Sequence, residues 1–203
     1  MLPRRREVYY GKLVQGRPVL VALDLFPAFY ALVRGRQTAK DYAREYAAGR
    51  MSLTARRIMD NLMRESPQYT RGLRAECFML EPSKTREFER AMAELQQGLW
   101  IVKTEERYEP TFSYRWDLLE RWLPDAVAEG RRMGRPAALD QVVTRFLHAA
   151  VFARPAALAR LLAVPRREVD ATLARLARQR VLITGAQVSG RPGQLAVSVS
   201  TRP

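Results

Sequence analysis

Arg86 to Val102 reads REFERAMAELQQGLWIV, and Arg167 to Ile183 reads REVDATLARLARQRVLI, at a constant offset of 81 residues. A segment that recurs at a fixed interval points to one supersecondary unit used twice. Arg86/Arg167, Glu87/Glu168, Ala93/Ala174 and Leu95/Leu176 are identical pairs, while Phe88/Val169, Glu89/Asp170 and Met92/Leu173 keep their chemical type without a gap. Apolar residues at Phe88, Met92, Leu95 and Leu99, matched by Val169, Leu173 and Leu176, define one buried helix face. The helical period then gives way to strand-like Leu99 to Val102 and Val181 to Thr184. Each is followed by a polar turn and a second β-prone run, at Thr111 to Tyr114 and Leu195 to Val199.

Upstream of each copy the pattern supplies two more helices. Ser52 is placed to cap a helix from Leu53 to Arg64 with Ile58, Met59, Leu62 and Met63 turned inward, and a short helix follows near Thr70 to Phe78. In the second copy Ala137 to Val151 carries Leu139, Val142, Val143, Phe146, Leu147 and Ala150. Pro155 begins a short helix ending near Ala163, and Pro165 opens the long one. Three helices and a two-stranded hairpin per copy make a helix-turn-helix with a wing. The expected fold is mainly α with small β-hairpins, in tandem winged helix-turn-helix domains at 50–124 and 136–200. An N-terminal segment, 1–48, precedes them. There Val19 to Val33 is a strand and a buried helix, taken as the remnant of a third wing. Gly35 and Gly49 bracket a polar link, and Pro124 to Pro136 forms a charged joint.

The 203 residues carry a formal charge of +14 with a pI near 10.8; of 35 basic residues only Lys12, Lys40, Lys84 and Lys103 are lysines. Arginine binds phosphate and guanine edges in bidentate fashion. From Ala137 onward ten arginines face three acids, so half of the excess charge lies in the last third. One cysteine and one histidine exclude a disulfide framework and most metal sites, so no metal and no cofactor is expected. No membrane span or export signal is recognisable, which makes a reducing cytoplasm, with the nucleoid in a prokaryote, the expected location.

Tyr114-Arg115-Trp116-Asp117-Leu118-Leu119-Glu120-Arg121-Trp122-Leu123-Pro124 resembles the tyrosine, aspartate-leucine, glutamate-arginine and proline series of the YcaQ and AlkZ group, winged-helix DNA glycosylases that unhook crosslinks. The resemblance runs from the Val19 to Val33 segment through the second winged helix and implies tandem winged helices that cradle duplex DNA. On that resemblance the chain is expected to begin inside a first wing and to leave too little sequence after Val199 for the group's C-terminal barrel. Those enzymes carry a Gln-x-Gln or Gln-x-Asp pair in their first winged helix. Neither occurs here, where Gln96-Gln97 is adjacent, so the resemblance implies DNA binding without catalysis.

The candidate contacts follow from this frame. Arg166, Arg167 and Asp170 occupy the first turn of the second long helix, the end that enters the major groove when such a module docks. Arg178, two turns later, is placed to meet phosphate. The hairpin Ser189-Gly190-Arg191-Pro192-Gly193 is a wing tip whose Arg191 approaches a minor groove or phosphate. In the first copy Lys84, Arg86 and Arg90 give the long helix a basic edge, with Glu87, Glu89 and Glu94 at pairing distance along the helix. Its wing, Glu105-Glu106-Arg107-Tyr108-Glu109, is acidic, so this module takes a structural or docking role. Trp100, Trp116, Trp122, Phe26, Phe29 and Tyr30 are read as core rather than base-stacking groups, Cys77 as a small core residue, His148 as an exposed helix residue, and Glu105-Glu106 as solvated. The resulting function is double-stranded DNA binding related to repair of alkylated or crosslinked bases. A glycosylase, a transcription regulator and a protein-interaction scaffold stand as alternatives.

Overall fold

The computed structural model describes residues 7–188 and 191–199. The first of two units, Met1–Arg132, runs β1 (Val8–Val14), β2 (Arg17–Ala22), α1 (Phe26–Val33), a 3-10 turn (Ala39–Asp41), α2 (Tyr42–Ala47), α3 (Leu53–Arg64), β3 (Gln68–Tyr69), α4 (Thr70–Glu76), a 3-10 turn (Pro82–Lys84), α5 (Thr85–Gln97), β4 (Ile101–Arg107), β5 (Ser113–Leu118), α6 (Leu119–Trp122) and α7 (Pro124–Arg132). The second, Met133–Pro203, runs α8 (Arg135–Ala150), β6 (Phe152–Ala153), α9 (Pro155–Leu162), α10 (Arg166–Arg178), β7 (Leu182–Val188) and β8 (Arg191–Ser198). Among the described residues about half are helical and just over a fifth lie in strands, so the fold is mixed α/β with small antiparallel sheets, and the expectation of a mainly helical chain undercounted strand.

The repeat holds at the level of the backbone. Helices α5 and α10 each span 13 residues. Their starts, and those of β4 and β7, are separated by the offset found in the sequence. Phe88, Met92, Leu95 and Ile101 are buried, as are their counterparts Val169, Leu173, Leu176 and Leu182. The same turn ends both helices. Leu99 (φ 54) and Arg180 (φ 60) sit in the left-handed region, and the amides of Trp100 and Val181 donate to the carbonyls of Leu95 and Leu176 at 2.9 and 3.0 Å. That is a Schellman closure of the helix end. It corrects the strand starts expected at Leu99 and Val181, because the chain must complete this turn before it can extend.

Each copy also has a strand that the sequence does not announce. In β3-β5-β4 and β6-β8-β7 the central strand pairs on one side with its hairpin partner and on the other with a two-residue strand ahead of the second helix. Gln68 lies opposite Trp116 and Phe152 opposite Val197. Two residues are too few to show an alternating pattern.

Ser52 caps α3 as expected, its hydroxyl accepting from the Ala55 amide at 3.2 Å. Its own amide donates to Glu94 of α5 at 2.8 Å, and Thr54 donates to Glu87. These bonds tie α3 to α5 and correct the expectation that Glu87 and Glu94 pair with Lys84, Arg86 and Arg90. The core beneath holds Ile58, Met59, Leu62, Leu73, Cys77, Phe88, Leu95 and Trp116. Ala150, placed on the apolar face of its helix by periodicity, is exposed.

Antiparallel β1 and β2, followed by α1, occupy the place read as a third-wing remnant. The link between Gly35 and Gly49 contains a 3-10 turn closed by a Thr38–Asp41 capping box and then α2. The charged joint is α7, whose charges obscured its buried Val127 and Gly130. Tyr9, Phe26, Tyr30, Leu99, Leu119, Leu123 and Val127 form a second core in this unit. Arg34 is buried beside it, with its guanidinium 3.1 Å from the centre of the Trp100 ring and Nη2 donating to the Thr38 carbonyl at 2.7 Å. Among the described residues no helix is long and apolar enough to cross a membrane.

Candidate nucleic-acid interface

Helix α10 starts immediately after Pro165, whose carbonyl accepts from the Glu168 amide at 3.0 Å. Glu168 in the first turn and Arg175 and Arg178 in the last complement the helix dipole. At about 100° per residue, burying Val169, Leu173 and Leu176 leaves Arg166, Arg167, Asp170, Ala174 and Arg178 on one exposed face. The structure therefore brings four of the expected contact residues together on a single helix.

Their engagements differ. Arg166 Nε donates to Asp170 at 2.8 Å in an exposed pair one turn apart. Arg167 and Arg178 have no ion pair among the described residues. Arg175, on the other side of α10, is spent internally, donating through Nε and Nη2 to the two oxygens of Asp140 at 2.7 and 2.5 Å and so clamping α10 to α8. Arg135 does similar work with Glu168 at 2.8 Å. Of the expected wing tip, Ser189 and Gly190 lie outside the described residues, while Arg191 opens β8 opposite Val188 and Gly193 has φ 89.

The first unit presents a different surface on the same frame. Arg86 and Arg90 are exposed on α5 and Lys84 is half-buried in the turn before it. The positions equivalent to Arg166 and Arg178 are Thr85 and Gln97, so this face carries less charge. Glu105 and Glu106, read as solvated, are half-buried and paired within the sheet, Glu105 with Arg115 at 3.5 Å and Glu106 with Lys103 at 2.5 Å. The Tyr108 hydroxyl also donates to Glu106 at 2.7 Å.

The Lys103 hydrogen bond, aided by Tyr108, holds the Glu106 carboxyl below the usual carboxylate range. Such a group contributes its full stabilisation above its unfolded pKa of about 4.3 and loses it as pH falls through its lower folded value. Thermal melts of the intact chain should therefore drop below about pH 4, and Glu106→Gln should flatten that limb. Parallel pH profiles for the two proteins would refute this assignment.

Trp100, Trp116, Phe26 and Tyr30 are buried and Trp122 and Phe29 half-buried, as core residues should be. Cys77 is buried, receiving the Asn61 amide at 3.5 Å. His148 is exposed on a groove with Asp140, Gln141, Thr144 and Arg145. Tyr108, in the acidic wing, and Phe112 and Tyr114, in the second β-prone run, carry no contact role in the sequence, yet their side chains form a row with ring centres 5.5 and 4.9 Å apart. The alternation Phe112, Tyr114, Trp116 is the signal that places aromatics on one side of β5. Among the described residues no cluster of His, Cys, Asp and Glu is disposed to hold a metal ion.

A protein-family model described as AlkZ related matches residues 1–163 of the 203. The matched stretch ends after α9, short of the extent inferred from the motif series, so α10 and the β7–β8 hairpin lie beyond it. No curated protein and no solved structure matches the chain.

Proposed function

This chain belongs to the AlkZ-related family, and we propose that it is a double-stranded DNA-binding protein in which each repeated block is a winged helix and α10 is offered to the major groove. The observation that carries this reading is the exposed face of α10, where among the described residues Arg167 and Arg178 have no carboxylate partner and Arg166 has only an exposed one. Arg166 and Arg167, at the helix N-terminus, meet base edges and phosphates; Arg178 meets phosphate, and Arg191 follows the backbone or minor groove. Lys84, Arg86 and Arg90 add a weaker contact, since Thr85 and Gln97 stand where α10 has Arg166 and Arg178. Family membership favours a role in repair of alkylated or crosslinked bases, and the missing Gln-x-Gln or Gln-x-Asp pair favours binding over base excision.

Counterion release is the proposed driving force. If about five phosphates are neutralised, duplex affinity measured by fluorescence anisotropy should fall by about a hundredfold or more from low to physiological salt. A flat salt response sinks the proposal. Release of a modified base from an alkylated duplex would instead establish glycosylase activity.

A further inference from the structure

The first unit contains an open cavity of about 520 Å³ that the proposed α10 contacts do not use. Its size falls in the range of small-ligand sites, about 300–1,000 Å³. Rings from separate elements line it: Tyr10 of β1, Phe88 of α5, and Tyr114 and Trp116 of β5. Trp116 is fixed by its indole N–H, which donates to the Thr70 hydroxyl at 2.9 Å. The Lys103 ammonium, held by Glu106, lies 4.2 Å from the Tyr10 ring centre and 4.4 Å from that of Tyr114.

The polar lining is mixed, with Lys12, Arg74 and Lys103 as cations and Glu89 and Gln96 as acceptors. Gln96 lines the cavity at 9% exposure; its Nε2 donates to the Met92 carbonyl at 3.0 Å, and among the described residues its Oε1 has no hydrogen-bond partner. An acceptor left open on a lining residue favours an incoming N–H donor. Glu89, exposed on the lining, adds two acceptor oxygens, and Lys12 supplies a cation. From Tyr114 the rings continue outward through Phe112 to Tyr108, and both of these are more than half exposed.

We propose that this cavity receives one unpaired nucleobase, with its faces against the aromatic walls and its amino or imino edge donating to Gln96 Oε1 and the Glu89 carboxylate. Such a ring is apolar on both faces and carries both N–H donors and acceptors on its rim, which matches the aromatic walls and the mixed lining together. The chain's charge of +14 favours a polyanion as the bearer of that ring over a peptide. The inference rests on the DNA-binding reading for its ligand but uses other residues, in the other unit.

The test compares two duplexes of one sequence, one carrying a single bulged 2-aminopurine and the other the same base paired with thymine. Wild-type protein should bind the bulged duplex about tenfold more tightly, the scale of one base stacking on aromatic side chains, and quench its fluorescence. Gln96→Leu should abolish this preference while leaving affinity for the paired duplex unchanged; Glu89→Ala, at an exposed position, serves if the first variant fails to fold. Equal binding of the two duplexes overturns the proposal. If neither duplex binds, the DNA-binding reading fails, and adenosine titrated against tryptophan fluorescence decides the cavity. A saturable response lost in the variant supports it, and no response in wild type overturns it.

Discussion

Duplex affinity of a chain carrying Arg166→Ala, Arg167→Ala and Arg178→Ala together is expected to fall by about tenfold or more at moderate salt. The slope of log affinity against log salt should flatten by about two to three units, since each phosphate contact contributes about 0.9. The three residues should not contribute equally. Among the described residues Arg167 and Arg178 have no ion pair to give up on meeting a polyanion, whereas Arg166 would have to release Asp170. That release is a small obstacle, because an exposed pair one turn apart is worth about 0.3–0.5 kcal/mol. Single substitutions should therefore rank Arg167 and Arg178 above Arg166. Stability should barely move, as Val169, Leu173 and Leu176 keep their burial. Arg175→Ala is the contrasting control: losing both bonds to Asp140 should lower the thermal midpoint of the second unit and leave the salt slope nearly unchanged. An unaltered slope in the triple variant would remove α10 from the interface.

Gly130→Ala should destabilise the first unit despite improving helix propensity. Gly130 lies inside α7 where that helix crosses α1, and a Cβ there would stand 2.8 Å from the Pro27 carbonyl oxygen and 2.9 Å from the Tyr30 Cβ. Replacing glycine by alanine within a helix gains about 1 kcal/mol. Overpacking a close contact costs about 1–3 kcal/mol, and here the neighbours are a backbone oxygen and the root of a buried tyrosine, which cannot swing aside. With neighbours that cannot yield, the cost sits at the upper end of that range, and the net loss is up to about 2 kcal/mol. Because α1 carries Phe26 and Tyr30 into the core with Tyr9, Leu119 and Leu123, the loss should appear as a lower, still cooperative melt of this unit. A melting temperature above wild type would mean that the two helices separate without penalty.

The elements most legible in the sequence are those with a long period or a strong cap. Ser52 marks the start of α3 and Pro165 that of α10, and the repeat offset carries the helix boundaries from one copy to the other. What stays hidden depends on pairing between distant residues. Strands β3 and β6 are defined by a partner, and Gly130 by the helix crossing it. The α10 cations are readable because exposure of Arg166, Arg167 and Arg178 follows from the burial of Val169, Leu173 and Leu176 on the opposite side. The cavity is not readable in that way. Tyr10, Phe88, Gln96 and Trp116 come from three elements, and only folding brings them round one space.

The shared turn at Leu99 and Arg180 has a consequence for how such a protein diversifies. In both halves stability is vested in matching internal positions, so the outward residues of α5 and α10 are released from structural duty. Thr85 and Gln97 can replace arginines without disturbing the scaffold. Duplication thereby permits a division of labour between halves, in which one specialises by surface charge and the other by the shape of an open cavity.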